Sequence, residues 1–253
     1  MTEKPRNKHY FITGASSGIG EALSKRLAEA GHIVSGIARR YDRLNELALA
    51  LPGFYPYAAD VTDKAALKAA INKAIKANGA VDVAILNAGI YQPQDGRTID
   101  PDIYANHMAV NYLGVINALS RLVPSMLARN SGHIAIVSSV AGWRGLPKSA
   151  AYGPTKAALI SLAESLYFDL VPHGIKLQII CPGFVDSEAT KINDFEMPNL
   201  ISADTAAADI LAGLNSDRFS IEFPKAFTRK MGLLRFLPDR LYFRLVGRQT
   251  GVV

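Results

Sequence analysis

Short apolar runs alternate with stretches of helical periodicity through most of the chain. HYFIT (9–13), HIVSGI (32–37), FYPYAA (54–59), VDVAIL (81–86), HIAIVSS (133–139) and IKLQIIC (175–181) are rich in β-branched and aromatic residues and too short for buried helices. Their apolar positions are consecutive rather than strictly alternating, the pattern of strands covered on both faces of a parallel sheet. Between them, GEALSKRLAEAG (20–31), DKAALKAAINKAIKANG (63–79) and AAYGPTKAALISLAESLYFDLV (150–171) read as amphipathic or alanine-rich helices. FSIEFP (219–224) adds a last strand. No linker, low-complexity tract or internal repeat divides the chain. The pattern predicts one doubly wound α/β domain over residues 1–224, a mostly parallel sheet with helices on both faces, followed by an extension over 225–253.

Composition sharpens this reading. At 253 residues, 49% hydrophobic and 20% charged, the chain can bury one large core. A single cysteine, Cys181, rules out an internal disulfide framework and fits a reducing compartment; it ends an apolar strand and reads as a packing residue. The polar start MTEKPRNKHY has no apolar core of a secretory signal, and no apolar run nears the roughly 18 residues that span a bilayer, so a cytoplasmic location is expected. His9, His32, His107, His133 and His173 show no metal-ligand spacing. The net charge of +6 resides in the extension, where seven basic residues face Asp239 alone. The neutral body carries no basic groove for nucleic acid.

The stretch FITGASSGIGEAL turns the first strand into a helix around Gly14, Gly18 and Gly20. Glycines permit a tight turn and close backbone approach, and the amides of a helix N-terminus attract a pyrophosphate. Ser16, Ser17 and Ile19 belong to the same turn. After the second strand, where an acidic residue would hold a bare ribose, the chain has Ala38 followed by Arg39 and Arg40. Two guanidiniums suit a 2′-phosphate, which points to NADP(H).

Tyr152 and Lys156 stand one helical turn apart in YGPTK, thirteen residues after Ser139. Pro154 between them is tolerable only in a first turn, so a helix is expected to begin within a few residues of Tyr152. A lysine ammonium near a phenol should lower the phenol's pKa and ease proton exchange with a carbonyl oxygen, and a serine hydroxyl can hold that oxygen.

In these motifs the chain resembles the short-chain dehydrogenases/reductases, nearly throughout residues 1–224. TGASSGIG (13–20) fits the family's TGxxxGxG. Asp60 and Val61 resemble its adenine contact, and Asn87, Ala88 and Gly89 its NNAG motif, with Leu86 in place of the first Asn. Asn111, Ser139, Tyr152 and Lys156 match its catalytic tetrad, and PGFVDS (182–187) resembles PGxVxT, with Pro182, Gly183, Val185 and Ser187 at the cofactor. The resemblance implies a Rossmann fold and a reductase or alcohol dehydrogenase in which Tyr152 is the general acid/base. It further implies that Tyr152 and Lys156 touch the cofactor, that Lys156 grips the nicotinamide ribose, and that Asn111 holds a relay water. A homodimer or homotetramer built through helices near 101–128 and 152–171 is also implied.

The substrate pocket is expected among loops 91–97, 141–149 and 184–199, with Trp143, Leu146, Phe184 and Phe195 as apolar walls for an apolar alcohol or carbonyl compound. The extension AFTRKMGLLRFLPDRLYFRLVGR interleaves arginines with Leu, Phe and Tyr and is interrupted by Pro238. Two short amphipathic helices are expected there, suited to packing on the body or a partner subunit, to peripheral contact with the inner face of an anionic membrane, or to closing over the site. A non-catalytic NADP(H) sensor, or a membrane-associated binding protein on the same fold, is the alternative function. Retention of all four tetrad residues argues against it.

Overall fold

The computed structural model describes residues 7–193 and 196–251. The first half runs β1 (His9–Thr13), α1 (Gly18–Glu29), β2 (Ile33–Ala38), α2 (Tyr41–Ala50), β3 (Phe54–Ala58), α3 (Lys64–Asn78) and β4 (Val83–Leu86). It continues through α4 (Pro101–Met108), a π turn (Ala109–Leu113), α5 (Gly114–Leu127), β5 (Gly132–Val137), α6 (Tyr152–Leu170) and β6 (Ile175–Pro182). The last part holds β7 (Val185–Asp186), β8 (Ile201–Ser202), α7 (Ala203–Leu214), β9 (Ser220–Phe223), α8 (Lys225–Leu234) and α9 (Asp239–Thr250).

Seven strands form one sheet in the order β3-β2-β1-β4-β5-β6-β9, and every neighbouring pair is parallel. The period of two along each strand feeds two cores. Ile12, Val34, Ile85 and Ile180 point to one face, which Leu23 and Leu27 of α1, Leu44 and Leu47 of α2 and Ile210 of α7 cover. Phe11, Ala84, Ile134, Ile136 and Ile179 point to the other, beneath Leu67 and Ile71 of α3, Val115 and Leu122 of α5 and Leu159 of α6. Continuous apolar strands are what such a double covering requires. Pro56, which has no N–H for a ladder, sits in β3 at the sheet's edge.

Strand order reverses between β1 and β4, so their C-terminal ends diverge and open a crevice. Three features place side chains there. Gly14 and Gly18, at φ 71° and 54°, turn β1 sharply into α1. The single helix expected near 101–128 is instead α4 and α5 joined by the π turn, whose extra residue turns Asn111 inward. α6 begins at Tyr152, so Pro154 falls in its first turn as expected.

The extension forms two helices that part at Pro238 and fold back on the body, burying Phe227, Thr228, Tyr242 and Val246. Among the described residues no helix is long and apolar enough to cross a membrane.

Candidate active site at the carboxyl edge of the sheet

A cleft of about 1220 Å³ opens at the carboxyl ends of the central strands. Its floor is the β1–α1 turn. Thr13 Oγ1 accepts hydrogen bonds from the Asn87 and Ala88 amides, both at 3.0 Å, and Asn87 Nδ2 donates to the Thr13 carbonyl at 3.1 Å. A Cβ at Gly14 would lie 2.9 Å from Asn87 Nδ2 and 3.0 Å from Ala88 Cα, so only glycine lets the two loops close together. Gly20 lies behind this turn rather than in the cleft wall, and a Cβ there would collide with the Gly14 carbonyl. Its service is to packing.

The first turn of α1 takes no side-chain cap from Ser17, so its amides remain free to bind an anion where Ser17, Gly18 and Ile19 border the cleft. Ser16 borders it as well and its Oγ accepts a hydrogen bond from Arg40 Nε at 3.3 Å. Arg40 also pairs with Glu188 at 2.8 Å, whereas Arg39 is 68% exposed with Asp60 at 3.8 Å. Burial works against the Asp60 carboxylate, but hydrogen bonds from the Thr62 amide and hydroxyl outweigh it and bring its pKa below the ordinary value. Asp60, Val61, Ala88, Gly89, Pro182, Gly183, Val185 and Ser187 line the same wall. These features fit a dinucleotide: free amides for its pyrophosphate, glycines where backbone must approach, and two guanidiniums with no acid at Ala38 for a 2′-phosphate.

Ser139 starts a short 3₁₀ turn after β5; its Oγ accepts from the Ala141 amide at 3.1 Å, and its hydroxyl acts to lower the pKa of the Tyr152 phenol. Lys156 is buried, donating from Nζ to the Val137 carbonyl at 2.9 Å, with Nζ 5.5 Å from the centre of the Tyr152 ring. Asn111 is fully buried behind the wall. Its Oδ1 accepts from the Ile90 amide at 2.7 Å, and its Nδ2 donates to the Ile90 carbonyl and to Thr155 Oγ1, each at 3.0 Å. A Cβ at Gly89 would lie 3.3 Å from Asn111 Oδ1 and 3.5 Å from Lys156 Nζ, so glycine keeps the space between them open.

The charges differ from expectation in one respect. Burial pushes the Tyr152 phenol up to about 12 against the lowering influence of Ser139, and pushes the Lys156 ammonium down to about 8. Burial, not the Lys156 charge, dominates the phenol here; Nζ donates to the Val137 carbonyl rather than to the Tyr152 hydroxyl. The Cys181 thiol, pushed up to about 12 by burial, is a packing group.

Of the expected substrate walls, Leu146 and Phe184 line the cleft. Trp143 does not; it packs against the core beneath Arg235, whose guanidinium carbon lies 5.9 Å from its ring centre. Phe195 lies outside the described residues. The extension adds to the lining, where Phe227, Met231 and Leu234 of α8 and Val246, Gln249 and Thr250 of α9 join loop residues such as Tyr91, Thr190 and Pro198. Sequence reading did not single out those of the extension, although 227, 231 and 234 follow helical spacing. Among the described residues, no group of three or more His, Cys, Asp or Glu could hold a metal ion.

The short chain dehydrogenase family model matches residues 8–196. An uncharacterized oxidoreductase of Myxococcus xanthus is 33% identical over 92% of this chain and 93% of its own length. A dehydrogenase/reductase SDR family protein 7-like of Anopheles gambiae is 29% identical over 99% of this chain and 87% of its own. A crystal structure of a short chain dehydrogenase from Burkholderia cenocepacia in complex with NADP superposes with a TM-score of 0.83 at 25% identity, covering 95% of this chain and 98% of that one. With the family model spanning most of the chain and the fold and cleft in agreement, this protein is an oxidoreductase that belongs to the short-chain dehydrogenase/reductase family.

Proposed function

We propose that the chain interconverts an alcohol and a ketone or aldehyde with NADP(H). The observation that carries this reading is the meeting of Tyr152, Ser139 and Lys156 beside the amide-lined turn of one cleft. Support for the cofactor comes from Arg39 and Arg40 and from the similar Burkholderia cenocepacia protein, whose structure contains NADP. The Gly14–Gly20 turn, Asp60, Val61, Asn87–Gly89 and Pro182–Ser187 would hold it, and it would supply or accept the hydride.

The chain's own residues handle the oxygen and its proton. Ser139 holds the substrate oxygen against the Tyr152 hydroxyl. Tyr152, protonated at neutral pH, donates to that oxygen as negative charge grows there. Lys156 keeps positive charge beside the phenolate that results. Asn111, fixed by Ile90 and Thr155, holds the route by which the proton is replaced. Leu146, Phe184, Phe227, Met231 and Leu234 favour an apolar substrate. Subunits of a homodimer or homotetramer would meet on the α4–α6 face, where Phe168, packed against Tyr167, is 77% exposed and Leu113 is exposed too. A buried lone cysteine suits a cytoplasmic setting.

The test is NADPH oxidation with aliphatic, aromatic and polycyclic ketones and aldehydes, NADH in parallel, and Tyr152→Phe as control. The expected result is turnover that prefers NADPH and disappears in the variant with NADPH binding retained. Equal turnover by the variant would overturn the assignment of Tyr152.

A further inference from the structure

α8 and α9 have two dissimilar faces. The inner one closes the cleft with Phe227, Met231, Leu234 and Val246. Away from the cleft the hairpin leaves several large apolar side chains in solvent: Phe236 is 79% exposed, Leu233 74% and Phe243 63%, and Leu241 and Leu245 are exposed as well. Arg229, Lys230, Arg235, Arg240, Arg244 and Arg248 are interspersed among these and are all exposed. Asp239, the sole acid of the hairpin, is paired with Arg144 and neutralises none of the others.

Exposed phenylalanines and leucines on a water-facing surface are unfavourable unless something covers them. The charge pattern says what. Pairing with the same face of a second copy would set two surfaces of like charge together, each carrying nearly the whole excess charge of its chain. A surface that accepts apolar side chains and arginines at once is the interface of an anionic lipid bilayer: rings and leucines enter the acyl boundary, and guanidiniums meet the phosphates. Phe236 lies in the connection between the helices, just before Pro238, and Phe243 lies on α9, so the two present separate points of insertion.

We propose that the outer face of α8 and α9 is a peripheral docking surface for anionic lipid. The surface stands apart from the catalytic side chains: none of Leu233, Phe236, Leu241, Phe243 and Leu245 borders the cleft. If the reductase reading above also holds, docking sets the mouth of the cleft at the bilayer interface, where apolar ketones and alcohols concentrate.

The experiment is co-sedimentation of the full chain with vesicles of phosphatidylcholine alone and of phosphatidylcholine with about 30% phosphatidylglycerol, at low and high salt. Two variants accompany it, Arg240→Gln/Arg244→Gln and Phe236→Ser/Phe243→Ser. All four positions are exposed and outside the cleft, and NADPH binding followed by fluorescence reports that each variant is folded. The wild-type chain should pellet with the anionic vesicles only and be released by salt. The arginine pair should weaken partitioning by about thirtyfold, at roughly fivefold per lost charge. The phenylalanine pair should abolish binding even at low salt. Wild-type chain left in the supernatant, or equal binding to both vesicle types, overturns the proposal. So does concentration-dependent self-association that Phe236→Ser/Phe243→Ser abolishes without any pelleting, which would make the face a contact between copies. None of these readouts involves turnover, so they remain valid whether or not the chain reduces ketones.

Discussion

Arg144 lies flat on Tyr242, its guanidinium carbon 3.9 Å from the ring centre, while the Tyr242 hydroxyl donates to the Gly145 carbonyl at 2.7 Å. The same guanidinium donates to the carbonyls of Leu234 and Leu237 and to the Asp239 carboxylate. One side chain of the loop after β5 thus receives the end of α8, the connecting turn and the start of α9. Arg144→Lys keeps the charge and loses the planar fork, so it should loosen the hairpin nearly as much as Arg144→Ala, by about 2 kcal/mol. Faster hydrogen exchange across 225–251, with the sheet unchanged, is the expected signature. Protection equal to wild type in both variants would refute the latch.

The ionisation of Lys156 sets a pH limit. Its ammonium, lowered by burial to about 8, is lost as pH rises through that value, whereas the Tyr152 phenol retains its proton well beyond it. For ketone reduction, kcat/KM should be level below pH 7 and fall above it with an apparent pKa near 8, the value belonging to the free enzyme. A profile level through pH 9 would show that the Lys156 charge is not needed.

Cofactor preference should be reversible at the end of β2. Ala38→Asp combined with Arg39→Ser places a carboxylate where a 2′-phosphate would sit and removes one guanidinium. The KM for NADPH should rise roughly ten- to hundredfold, the loss of one charge-assisted pairing, while that for NADH falls. Steady-state kinetics with both cofactors decides it. Unchanged preference would mean that Arg39 and Arg40 are a solvated loop.

Acid stability depends on His133. Gln178 Nε2 donates to the carbonyls of Gly213, Ser216 and Arg218, so its Oε1 must accept the proton of His133 Nε2 at 2.8 Å. Burial lowers the imidazole pKa from 6.5 to about 4. Between these values the unfolded state binds more protons, so stability falls as pH drops through that window. The loss is at most about 3 kcal/mol, reduced by the ring's partial exposure. Thermal unfolding from pH 7 to 4.5 should show a decline that His133→Gln diminishes; the same decline in both proteins would place the effect elsewhere.

The sheet was legible because its strands are apolar at consecutive positions, and the glycines, Tyr152 and Lys156 because their spacing states their geometry. What escaped was decided by contacts distant in sequence. β7 and β8 are two residues each, too short for any period. α2 buries only Leu44 and Leu47, a faint stripe. Trp143 sits in a loop expected to line the pocket, yet the core takes its ring. In the extension, Leu, Phe and Tyr occupy both faces of α9, and composition cannot tell that Tyr242 and Val246 turn inward while Phe243 and Leu245 turn out.

The wide turn at Ala109–Leu113 ties chain length to chemistry. A regular helix advances about 100° per residue, so losing one residue within those five would straighten α4 into α5 and swing the Asn111 amide around the axis. The Ile90 amide and carbonyl, both answered by that one side chain, would be left unpaired together. Surface loops beyond α4 and α5 can change length at little cost, but this segment, continuous with both helices, tolerates substitution far more readily than deletion. The count of residues across it is a functional property of the protein, as much as the identity of the asparagine it carries.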